Sequence, residues 1–129
     1  MASKRFAAVQ AAILAMPGAA LSPTKPRGGI IYVAAGKMFA ILGTGETAFV
    51  ILKCDPQLAG MMKSKYDGIG HRSHLDRRFW ISVDLDADVP LAEIRKLVAH
   101  SHAQVVATLS KKQQAALQNR KTIILPKMR

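Results

Sequence analysis

Acidic residues are scarce in this sequence, eight against nineteen lysines and arginines, and none stands before Glu46. With carboxylates so few and scattered, a paired-carboxylate active site is hard to assemble. Cysteine is scarcer still. Cys54 is the only one, so an internal disulfide is excluded and a reducing, cytoplasmic setting is expected. Aromatics are four Phe, two Tyr and one Trp, and no apolar run approaches the ~20 residues that a membrane-spanning helix needs. No membrane association is therefore expected.

What is abundant is positive charge. The formal net charge is +11, and its distribution is uneven: residues 1–45 carry five basic groups and no acid, 46–90 six against seven, and 91–129 eight against one. Such an excess attracts polyanions through counterion release and steering, which makes nucleic acid the leading partner on charge alone. A basic protein with no nucleic-acid partner stands beside it as the plain alternative. At 129 residues with half of them apolar, the chain suits one domain with one core.

The start, MASKRFAAVQAAILAMPGAALSP, imitates a secretory signal. Gln10 interrupts the apolar run, however, and Phe6, Val9, Ile13 and Met16 recur at helical spacing, so a retained helix over 4–16 is expected, stopped by Pro17 and Gly18. LSPTKPRGG then reads as a loop that exposes Lys25 and Arg27. Three strands follow at 30–35, 37–43 and 46–53, joined at Gly36 and at GTG 43–45 by tight antiparallel hairpins. Asp55 and Pro56 start a helix over 56–65 by capping and by proline at the first helical position. GIGHRSH and FWISVDLD form a second hairpin around LDRR, with Ile81, Val83 and Leu85 on a buried face. Asp88 and Pro90 open the longest helix, its stripe running Leu91, Ile94, Leu97, Val98, Ser101, Val105 and Leu109. Ser110 and Gln113 make a capping box for a last short helix to about 118, before a basic tail over 119–129. The expected class is α/β (α+β): two layers, an antiparallel sheet of about five strands, in the order α-βββ-α-ββ-α-α.

Several chemical motifs dissolve on inspection. Gly43, Gly45 and Ala48 fit GxGxxA, but the segment after them is a strand, so no helix N-terminus faces a phosphate. Asp84, Asp86 and Asp88 imitate a calcium loop whose sixth position would be Val89 and twelfth Arg95, where Gly and Glu are required. His71, His74, His100 and His102 with Cys54 lack zinc spacing; His71 and His74 point to opposite faces, His100 toward solvent and His102 to the edge of the helix stripe. No nucleophile elbow is present, and Asp55 beside Cys54 raises its pKa. No metal, no cofactor and no enzymatic activity are expected.

HRSHLDRRFW, residues 71–80, keeps its interest. Arg72, Arg77 and Arg78, with Lys25, Arg27 and Lys37 in other turns, can reach phosphates, and Phe79 or Trp80 can stack on bases. Alternatively the arginines only solvate a hairpin tip while Trp80 anchors the core beneath.

MPGA at 16–19, GKMFAIL at 36–42, CDPQLAGMM at 54–62 and HLDRRFWISVDLD followed by VPLAEIRKLVAHSHAQVV, in that order over about residues 4–118, resemble the MmcQ/YjbR family of small bacterial proteins. The resemblance implies one domain with a secretion-chaperone-like α/β fold, likened also to the double-wing DNA-binding domain of a phage transcription factor, and it brings no catalytic residues. By position, Gly36 to Ala40 form a turn and strand, Trp80 opens the last strand and Pro90 starts the long helix. His102 stands where relatives usually carry Tyr or Trp, which implies a ring packed on the sheet. PTKPRGG departs from the shorter loop of relatives. DNA binding through Lys25, Arg27, Arg72, Arg77 and Arg78 is the leading functional expectation. A protein-binding or chaperone-like module, possessing a protein partner or forming a homodimer, is the alternative.

Overall fold

β-branched and aliphatic runs separated by turns draw the middle of the chain into a sheet. The computed structural model describes residues 4–23, 29–44, 47–73 and 75–124. Its strands are β1 (Ala19–Leu21), β2 (Gly29–Ala34), β3 (Lys37–Thr44), β4 (Ala48–Lys53), β5 (Ile69–Gly70) and β6 (Trp80–Asp84). All pair antiparallel in the order β1-β2-β3-β4-β6-β5. The α+β class stands as expected. The sixth strand, β1, was not expected; it takes Leu21 from the start of the expected loop and the two alanines before it, pairing Ala20 with Val33 at the sheet edge.

Ala35 and Gly36, with φ of 52° and 80°, form the two-residue turn between β2 and β3. Positive φ at both central positions matches the twist of the flanking strands. Further along, Tyr32 pairs with Ala40 and Val33 with Met38, leaving Phe39 as an extra residue on β3. This bulge lets two successive side chains turn inward. Phe39 and Ala40 are both fully buried.

The helices are α1 (Phe6–Leu14), α2 (Pro56–Lys65), α3 (Leu91–Val106) and α4 (Lys111–Ile124). Asp55 caps α2, its Oδ2 accepting the N–H groups of Gln57 and Leu58 at 3.0 and 3.1 Å. Ser110 and Gln113 form the expected reciprocal cap of α4, which runs to Ile124 and so takes in residues expected to be tail. Pro90 stands at the N-cap of α3 without a side-chain cap. Asp88, just before it, turns elsewhere: its carboxylate accepts the N–H groups of Asp67 and Gly68 at 2.9 and 2.7 Å, which hold its pKa below the usual carboxylate range.

α3 packs against β3 and β4, and α1 against α3, all on one face of the sheet. That face carries Tyr32, Ala40, Leu42, Val50, Leu52, Ile81 and Val83, each fully buried. Ser101 of α3 ties the layers together: its hydroxyl donates to the Phe39 carbonyl at 2.6 Å and accepts the Lys53 N–H at 2.8 Å. His102 meets Phe39 edge-on with centroids 5.2 Å apart, and its Nε2–H donates to the Pro17 carbonyl at 2.8 Å. Its ring therefore packs on the sheet, as the resemblance implies. His100 departs from expectation. It is half-buried, and its Nε2 accepts the Asp55 N–H at 3.1 Å instead of facing solvent.

Candidate functional site

Strand alternation places a second row of side chains on the face away from α1 and α3. Ile31 pairs with Ile41, Ile41 with Ile51, Ile51 with Ser82 and Ser82 with Gly70, so one line crosses five strands. On either side lie Phe49 paired with Asp84, and Lys53 paired with Trp80. Ile31, Ile41, Phe49 and Trp80 are half-buried, and Ile51 is 6% exposed yet lies outside the core cluster between sheet and helices. Trp80 is thus no anchor of the main core. It sits on the outer face at the start of β6, while Ile81 and Val83 fill the inner one.

The second hairpin exists, but not as a tight turn on LDRR. β5 is two residues long, and the described residues between it and β6, 71–73 and 75–79, lie in no helix or strand. Local hydrogen bonds capture that backbone before a ladder can form. Ser73 Oγ accepts the Leu75 N–H, Asp76 Oδ1 accepts the Arg78 N–H, and the Asp76 carbonyl accepts the N–H groups of Phe79 and Trp80. His71 adds a contact of 2.6 Å from its Nε2–H to the Leu75 carbonyl.

Arg72, Arg77 and Arg78 are exposed on this one loop, as expected. Lys25, Arg27, Gly45 and His74 lie outside the described residues. Arg78 pairs with Asp76 at 2.8 Å, and its hydrogen bonds push the Asp76 carboxyl down to about 2. Arg72 lies with its guanidinium carbon 4.6 Å from the centroid of the Phe49 ring. Neither Arg72 nor Arg77 forms an ion pair with the described residues. Lys37 is engaged elsewhere, its Nζ donating to Thr108 Oγ1 at 3.4 Å just past the end of α3.

Beside Arg72 a polar cavity of about 290 Å³ opens over the short strand β5, lined by Asp67, Gly70, His71, Ser82 and Asp84 among others. Gly68 holds its rim in place: a Cβ there would come within 2.7 Å of Ala87 Cβ. Phe49 reaches Arg72 because Gly43 lies beneath its ring, where a Cβ would fall 2.3 Å from Phe49 Cζ. Sequence reading missed Phe49, Ser82 and Asp84 as members of one site. A signal for the face was present, since IIYV, AIL and FVIL are continuous apolar runs, and a strand with one solvated face alternates.

Among the described residues no three His, Cys, Asp or Glu side chains converge as metal ligands, and no helix is long and apolar enough to cross a membrane. Cys54 is buried, and burial, followed by the neighbouring Asp55 charge, pushes its thiol up to about 11.

The YjbR family model matches residues 14–104. Over 68 residues the chain is 31% identical to the Escherichia coli K12 protein YjbR, itself described as uncharacterized, and to its counterpart in strain O157:H7. The match covers 53% of this chain and 58% of each relative, so it spans little more than half the length of those proteins. The crystal structure of a Deinococcus radiodurans protein with a DUF419 domain superposes with a TM-score of 0.77 at 19% identity, covering 85% of both chains. A Pseudomonas syringae protein superposes with a TM-score of 0.62 at 22% identity, over 77% of this chain and 96% of that one. These two likenesses speak for the fold.

Proposed function

The chain belongs to the YjbR family, and from its charge we propose that it is a non-catalytic nucleic-acid-binding protein that sets loop arginines on the phosphate backbone. The observation that carries this reading is the presence of exposed Arg72, Arg77 and Arg78 between β5 and β6 of a chain with net charge +11. Asp76 offsets part of Arg78, which leaves Arg72 and Arg77 as the groups readiest to neutralise phosphate. Guanidinium forks suit that task because they present several donors in one plane. The family's likeness to a double-wing DNA-binding domain supports the same partner, and a reducing, cytoplasmic setting fits the lone buried thiol. Fluorescence anisotropy with a labelled DNA duplex at low salt tests the proposal. Wild type binds and Arg77→Glu/Arg78→Glu binds at least tenfold more weakly; equal binding by both, or none by wild type, contradicts it.

A second reading has its own observation. The half-buried apolar side chains Ile31, Ile41, Phe49 and Trp80 of the outer row form a surface that a protein partner or a second copy of the chain can cover. Such association would be insensitive to salt, and light scattering over a concentration series separates it from polyanion binding.

A further inference from the structure

We infer that the cavity beside Arg72 holds an unpaired nucleobase bearing an exocyclic amino group, so that the preferred ligand is single-stranded nucleic acid. This rests on the nucleic-acid reading above and narrows it to a ligand class and a pocket. The floor is Gly70, and nothing lies within 4 Å of where its Cβ would be. A flat ring can therefore approach the strand backbone. Arg72 also lines the cavity, its guanidinium seated on Phe49 and without an ion pair among the described residues. A guanidinium held over an aromatic ring is a stacking platform for a base, and stacking of this kind requires that the base be out of a duplex.

Asp84 and Ser82, which line the same cavity, supply edge recognition. Asp84 Oδ1 accepts the Asp86 N–H at 3.1 Å, which fixes the carboxylate and leaves Oδ2 for a ligand donor. Ser82 lines the same cavity, and its hydroxyl has no hydrogen-bond partner among the described residues. A carboxylate only accepts, so it favours the N4 amino group of cytosine or the N6 amino group of adenine and repels the O4 carbonyl of thymine or uracil. A DNA duplex keeps those bases stacked and out of reach. An apolar peptide segment would have to desolvate Asp84, Ser82 and Asp67 without pairing them. A second copy of the chain would bring another +11 charge against the arginine rim. Charge and chemistry together select a polyanion with a free base.

Anisotropy competition among oligo-dC, oligo-dT and a duplex of mixed sequence provides the test, on wild type, Asp84→Asn and Arg72→Lys. Wild type binds oligo-dC roughly tenfold more tightly than oligo-dT, the discrimination typical of one good base contact, and more tightly than the duplex. Asp84→Asn preserves the Asp86 contact through its amide oxygen but brings the dC-to-dT ratio close to one, with oligo-dT binding no weaker. Arg72→Lys retains the charge and loses the platform, so both oligonucleotides weaken while the salt dependence stays. Equal binding of oligo-dC and oligo-dT by wild type, a preference that survives Asp84→Asn, or tighter binding of the duplex overturns the inference. Duplex binding that depends on Arg77 and Arg78 without base preference leaves the phosphate reading standing and removes only the pocket; no binding to any of the three removes both.

Discussion

Arg78 closes on Asp76 two residues before it, Nη2 2.8 Å from Oδ2 and Nε 3.1 Å from Oδ1, and the Arg78 backbone N–H reaches the same carboxylate at 2.9 Å. A pair this exposed contributes little to stability. Its effect is on the field of the loop, because it holds one of three arginines close to a compensating charge. Replacing Asp76 by Asn therefore strengthens nucleic-acid binding, and by releasing Arg78 to a phosphate it steepens the salt dependence by about one in log–log slope. Unchanged affinity in Asp76→Asn would show that Arg78 does not meet phosphate.

The same pair fixes an acid response. Hydrogen bonding from Arg78 depresses the Asp76 carboxyl from 3.8 to about 2. A depressed folded-state pKa means that the contribution is present above the unfolded value and is lost as pH falls through the folded one. The Arg78 Nε–H resonance accordingly retains its paired shift from neutral pH down to about pH 4 and loses it toward about pH 2. Loss of that shift near pH 5 would mean that the pair does not form in solution.

Ser101 is fully buried and satisfies two backbone groups from different strands, the Phe39 carbonyl and the Lys53 N–H. Ser101→Ala leaves both without their partner, a cost of about 2 kcal/mol in chemical denaturation with little change in the slope. Ser110→Ala removes an exposed cap and costs about 1 kcal/mol. A Ser101→Ala effect no larger than that of Ser110→Ala would contradict the bridging role.

Cys54 is raised to about 11 by burial first and by Asp55 second. Folding favours the protonated thiol, so this contribution is complete below about pH 9 and disappears as pH rises through about 11. At neutral pH the native protein reacts slowly with a thiol-specific disulfide reagent and quickly once unfolded. Fast reaction of the folded protein would place Cys54 at an accessible surface.

The elements set by local chemistry were legible: the Asp55–Pro56 start of α2, the Ser110–Gln113 cap and the apolar stripe of α3 all form where their residues indicate. β1 was not. Ala19–Leu21 has no alternation of its own and exists through its register with Tyr32 to Ala34. His100 likewise meets the Asp55 N–H, a group on a distant element that helical periodicity does not reveal. The hairpin pattern reads Trp80 as an anchor of the core, whereas parity with Ser82 and Asp84 puts it outward. The loop arginines could be read from the sequence, but the Arg72–Phe49 contact could not, because strand pairing and the space above Gly43 create it.

The most direct test of nucleic-acid binding is the dependence of the association constant on salt, measured between about 50 and about 200 mM for wild type and for Arg77→Glu/Arg78→Glu. If about five phosphates are neutralised, log K falls against log salt with a slope of about −4 to −5, and the double variant, which loses the Arg77 contact while Arg78 is already held by Asp76, has a slope shallower by about 1. A slope near zero in wild type, or identical slopes in the two proteins, would contradict the account.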